Sequence, residues 1–116
     1  VRCHPKLEPA LTHRLGRGTV IKLRSRETVP SGGGVKLRAY FTPGHEVDHV
    51  AYYLAADKVV FSGDTILGNS SSSVRNLKQY MASLETLAGL KPDILCPGHG
   101  PLTTVADEKR LNPFFP

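Results

Sequence analysis

Three apolar runs in this chain each stop at a glycine turn that carries a potential metal-binding side chain. That repetition constrains the fold more than any other feature. "VKLRAYF" (35–41) alternates apolar and polar residues, as a half-buried strand does, and runs into "TPGHEVDH" (42–49). "KVVFSGD" (58–64) ends on Asp64, and "DILCPGHG" (93–100) sets His99 between two glycines. Proline and glycine punctuate strands, and glycine takes backbone angles closed to other residues. Each turn can therefore aim one side chain at a common point from a rigid sheet.

The segments around these turns suggest a layered chain. "GTVIKLR" (18–24) alternates like a strand, and after the break at "PSGGG" (30–34) it reads as the antiparallel partner of 35–41. "VAYYLAA" (50–56) and 58–64 meet at Asp57 as a hairpin, and their near-continuous apolarity predicts burial on both faces. The serines of "GNSSSS" (68–73) are placed to cap a helix, and Val74, Leu77, Met81, Leu84 and Leu87 form its apolar stripe. Gly89 and Pro92 then end it. Residues 93–96 read as a short buried strand. The expected order is β-β-loop-β-β-loop-α-β-loop within one domain.

The formal charge of +5 is unevenly placed. Residues 1–40 hold nine Lys/Arg against Glu8 and Glu27, whereas residues 41–116 hold six against eight acidic residues. A basic front half suits a phosphate-bearing partner, but without aromatic interleaving it reads first as a solvated face. No apolar run reaches the roughly 18 residues of a membrane helix. The start "VRCHPK" has no apolar stretch behind it, so no secretory signal or other targeting segment is expected. Cys3 and Cys96 are too few for a disulfide scaffold, which makes a reduced, intracellular setting the expectation. A chain that starts at Val1 and stops at "NPFFP" reads as a processed or truncated piece.

Taken singly, the site candidates have ordinary readings: a solvated loop histidine, a turn or cap aspartate. Together, imidazole and carboxylate are the donors that a borderline metal such as zinc prefers. Cys96, at the end of an apolar strand, reads as a core cysteine, and His4 and His13 read as surface residues.

"YFTPGHEVDH", "VVFSGDTILG" and "ILCPGHGP" resemble the last three metal motifs of the metallo-β-lactamase superfamily. The separations of the motif residues, 19 between His45 and Asp64 and 35 between Asp64 and His99, suit its compact hydrolases. "GNSSSSVRNLKQYMASLETL" is similar to the linking segment of the β-lactamase-like protein 2 branch and its fungal thioesterase relatives. The family-like region runs over about residues 18–103 of a partial domain, 1–116.

The resemblance implies an α/β fold of layered α+β type, half of a four-layer αββα sandwich, with a mixed or antiparallel sheet and one main helix. His45 would bind the first metal, Asp64 would bridge two and serve catalysis, and His99 would bind the second. His49 would support these ligands or face the substrate. The implied cofactor is a pair of zinc ions that activate water. The implied activity is endonucleolytic cleavage of single-stranded RNA, in the mitochondrion or cytoplasm. The alternatives are thioester hydrolysis, as in glyoxalase II or polyketide acyl-carrier thioesterases, and a non-catalytic fragment or interaction module. The family's His-x-His-x-Asp-His motif is absent from this sequence. The chain alone is therefore expected to be inactive, with an apolar sheet face left for the missing half of the domain or for self-association.

Overall fold

A five-stranded sheet in the order β3-β4-β5-β6-β7 organises the chain in this computed structural model, which describes residues 1–68 and 70–116. Its strands are β3 (Thr28–Pro30), β4 (Lys36–Phe41), β5 (Val50–Leu54), β6 (Val59–Gly63) and β7 (Ile94–Pro97). Pairing is antiparallel from β3 to β6, and β7 joins β6 in parallel. A parallel neighbour needs a crossover, and helix α2 (Leu77–Gly89) supplies it. Upstream lie β1 (Arg2–Cys3), α1 (Glu8–Leu15) and β2 (Ile21–Lys22), and downstream lies α3 (Val105–Leu111). The mixed sheet with few helices is the layered α/β arrangement expected.

Two pairings differ from the sequence reading. Residues 18–24 do not pair with 35–41. Only Ile21–Lys22 forms a strand, and it runs parallel to Arg2–Cys3 in a separate two-stranded sheet. On that side the antiparallel partner of β4 is the short β3, which begins at Thr28, past the segment read as a strand.

One face of the main sheet carries the core. Ala51, Val60 and Leu95 pack with Tyr80, Leu84 and Leu87 of α2, together with Ile66 and Phe115. Burying a side chain of this size stabilises the fold by about 1.5–3 kcal/mol. The helix is rotated from its expected stripe: Tyr80 is fully buried and Leu77 is exposed. The Tyr80 hydroxyl donates to the Thr65 carbonyl at 2.7 Å, so its polar end is satisfied inside the core. The serines do not cap this helix. Asn76 does, its side-chain oxygen accepting from the Gln79 N–H at 3.0 Å, which frees the serines for another task.

The opposite face is covered only in part. His4, just past β1, packs its ring on Phe41 of β4, and Cys3, Leu23 and Ala39 are buried. Towards β7 the same face opens: Phe61 is 41% exposed and Ile94 39%. The expectation that 50–56 and 58–64 are buried on both faces therefore fails, because no layer of the described residues lies over that end. Among the described residues no helix is long and apolar enough to cross a membrane.

His4 is a second correction. It is only 8% exposed, its ring centroid lies 4.2 Å from that of Phe41, and its Nδ1 accepts the Lys6 N–H at 3.0 Å. The parallel pairing draws it inward, since the Leu23 N–H bonds the Cys3 carbonyl at 2.7 Å. Burial pushes the His4 imidazole below its usual pKa, with Asp48 pulling upward and Lys6 downward. An unfolded histidine titrates near ~6.5, so below that pH the unfolded chain binds more protons than the folded one. Stability is then full above ~6.5 and falls as the pH drops towards the folded value. The urea midpoint is expected to decline between about pH 7.5 and 5.5, and His4→Gln is expected to flatten that decline. An equally steep decline in the variant would remove His4 from the account.

Candidate metal centre

The carboxyl ends of β4, β6 and β7 lie at one edge of the sheet, and the three turns that follow them carry His45, Asp64 and His99. The β4–β5 turn is stapled at its base, where the Thr42 N–H donates to the His49 carbonyl at 3.0 Å. It is also docked on the lead-in to α2. The Gly44 carbonyl accepts from the Arg75 and Asn76 N–H groups at 2.8 and 3.0 Å. Arg75 adds an exposed ion pair to Glu46 at 3.0 Å.

His45 is oriented by the serines read from sequence as a cap. Its Nδ1 lies 2.8 Å from the Ser73 carbonyl, with the Ser72 and Ser73 hydroxyls at 3.1 and 3.2 Å. A carbonyl only accepts, so Nδ1 carries the proton and the Nε2 lone pair is left free. That nitrogen faces Asp64, 3.7 Å from Oδ2.

His49 has a different task. Its Nε2 accepts the backbone N–H of Asp64 at 3.1 Å. Its Nδ1 meets the hydroxyls of Thr42 at 2.7 Å and Thr65 at 3.0 Å. Both nitrogens are engaged, and the ring is neutral with its proton on Nδ1. Burial first, and the nearby His45 second, hold its pKa below the usual histidine value. The ring sits so close to Gly63, whose φ is +54°, that a Cβ there would lie 2.6 Å from Nε2.

The third turn is tied to the second. The Gly98 N–H donates to the Gly63 carbonyl at 2.8 Å, and a Cβ on Gly98 would sit 3.2 Å from Asp64 Oδ1. His99, 76% exposed, turns its Nε2 to Asp64 Oδ1 at 3.3 Å. Each histidine thus faces its own oxygen of one carboxylate.

The two separations are longer than the ~2.7–2.9 Å of a charge-assisted hydrogen bond. Two donors that share a cation at ~2.0–2.2 Å and a tetrahedral angle stand roughly 3.3–3.5 Å apart. The His45–Asp64 and Asp64–His99 pairs, at 3.7 and 3.3 Å, are spaced close to that. Among the described residues no group of three or more His, Cys, Asp or Glu closes around one position. The donor types suit a metal ion, and each position needs further ligands for a closed shell.

Sequence reasoning missed Thr42, Thr65, Ser72 and Ser73. The signal for the threonines was present, since each abuts a strand end beside a candidate ligand. The serines were assigned to the helix that follows. Cys96 is half-buried in β7, opposite Phe61, and His13 is exposed as expected.

Comparison with known proteins gives a consistent picture. The model of the metallo-beta-lactamase superfamily matches residues 2–99. Thioesterase pkgB of Emericella nidulans is 46% identical over 67 residues, 58% of this chain and 20% of the relative. The Beta-lactamase-like protein 2 homolog of Caenorhabditis elegans is 38% identical over 76 residues, 66% of this chain and 26% of the relative. The matched stretch thus spans a fifth to a quarter of these relatives. The crystal structure of TTHA1623 in a di-iron-bound form superposes with a TM-score of 0.79 at 30% identity, covering 99% of this chain and 64% of that one.

Proposed function

Because the chain belongs to the metallo-beta-lactamase superfamily, we propose that its three turns supply part of a dinuclear metal centre for hydrolysing a thioester. The observation that supports this most is the split carboxylate, with Asp64 Oδ2 towards His45 and Oδ1 towards His99. When bound, a divalent metal pair supplies Lewis acidity and a water activated near neutral pH. The protein's own contribution is alignment. Ser73 fixes the tautomer of His45, His49 holds the backbone of Asp64, and the exposed His99 stands at the solvent side. Imidazole and carboxylate suit zinc, the metal proposed, and they suit iron as well.

The thioester is supported by the thioesterase among the relatives. Single-stranded RNA is the second reading, favoured by the basic residues of the front half. In either case the open face around Phe61 and Ile94 receives the remaining layer of the sandwich, which also supplies the missing metal ligands.

The test is to assay the whole protein against an acyl thioester and a single-stranded RNA, with and without a chelator. Chelator-sensitive thioester cleavage is expected, and residues 1–116 alone should stay at background. RNA cleavage without thioester turnover would select the second reading, and activity that survives metal removal would end both.

A further inference from the structure

The amino end of β4 lies at the far edge of the sheet from the metal centre, about 17 Å away along the strand. Lys36 and Arg38 stand two residues apart there, so their side chains leave the same face. Arg38 lies directly between Thr28 on β3 and Tyr53 on β5. These four residues, with Leu37 and Ala55, line a cavity of about 220 Å³.

The charge in this cavity is uncompensated. No acidic residue lines it, and among the described residues neither cation has an acidic partner. Three other exposed cations do have one: Lys22 meets Glu8, Arg75 meets Glu46, and Arg110 meets Asp107. The ring of Tyr53 packs against the core and Arg38 belongs to an interior strand, so the floor of the groove is held in place. An adjoining cavity of about 490 Å³ shares Lys36 and Ala55 but carries Asp57, which disfavours an anion on that side.

From the pairing of two free cations with two hydroxyls we infer that the first groove binds a phosphate group. A phosphate offers up to two negative charges and several acceptor oxygens, matching a guanidinium fork, an ammonium and the Thr28 and Tyr53 hydroxyls. The group arrives either as the phosphodiester of a single-stranded nucleic acid or as free phosphate.

The experiment titrates the isotope-labelled chain with inorganic phosphate and, separately, with a short single-stranded oligoribonucleotide, following amide shifts. Shifts at residues 28, 36–38 and 53 with phosphate are expected. The same amides responding to the oligonucleotide at lower concentration identify the phosphodiester as the source, and response to phosphate alone identifies the free anion. Lys36→Gln with Arg38→Gln is expected to weaken oligonucleotide binding about 10-fold and to lower the log–log salt slope by about 0.7, the value for one phosphate contact on a single strand. Arg14→Gln with Arg17→Gln removes the same charge outside the groove and should change affinity less than about twofold if contact rather than net charge governs binding. Equal losses from both pairs, or no shift with either probe, would overturn the inference.

Discussion

Asp64→Asn is expected to lower metal-dependent hydrolysis by the whole protein at least ~1,000-fold, a loss of about 4 kcal/mol of transition-state stabilisation. Asparagine keeps the shape of the side chain and removes what the site uses. One of its two terminal atoms is an NH₂, which donates and cannot ligate, so only one histidine would still face an oxygen across the shared position. The negative charge between the two histidines is lost as well. Folding should survive, because the His49 bond is made to the backbone N–H of residue 64 and not to its carboxylate. Metal content measured alongside turnover should fall from near two ions per protein, while the unfolding midpoint of the metal-free protein stays unchanged. Turnover at the unsubstituted rate would remove Asp64 from its bridging role.

Gly44→Ala should be strongly destabilising. At φ +132° the backbone of residue 44 lies where side chains are rarely tolerated, and a Cβ there would collide with the Cα and backbone nitrogen of Tyr80. Those atoms belong to the first turn of α2, held by the Asn76 cap and the fully buried Tyr80 ring, so they cannot step aside. The Gly44 carbonyl bonds to Arg75 and Asn76 would be strained in the same movement. A loss of about 4 kcal/mol or more is expected in urea unfolding, the range in which single substitutions become exceptional. Gly33→Ala provides the contrast. Its φ is +57° with nothing within 4 Å, so its cost should stay near ~1–2 kcal/mol. Comparable midpoints for the two variants would contradict the account of the docked turn.

The three glycine turns at the strand ends are legible in the sequence because their chemistry and their geometry coincide in a few adjacent residues. Pro43-Gly44-His45, Gly63-Asp64 and Gly98-His99 each mark a strand end and a donor together. Helix α1 carried no comparable signal: none of its residues is buried, so no apolar stripe exists to be read. Its neighbour β2 was over-read as seven residues because alternation shows that a strand can form but not whether a partner lies alongside. Only the two residues opposite Arg2–Cys3 found one. The role of the serine run was hidden for a similar reason. Ser72 and Ser73 are adjacent to a helix in sequence, but they meet His45 across 27 and 28 positions. The continuous apolarity of β6 pointed to cover on both faces, yet Phe61 lies open here, since periodicity describes a strand's preference and not the presence of a covering layer.

The parallel junction of β6 and β7 has a kinetic meaning. Strands β3 to β6 are sequential and antiparallel, so each pairing closes a short loop, whereas Val59 meets Ile94 only after 34 intervening residues, α2 among them, are gathered in. Non-local parallel pairing is slow because loop closure must be met before the contact rewards it. Refolding is therefore expected to bring His45 and Asp64 together before His99, which belongs with the final strand. The approach of His99 to Asp64 is expected to complete the fold, so a metal ion held between them would select molecules that have finished folding.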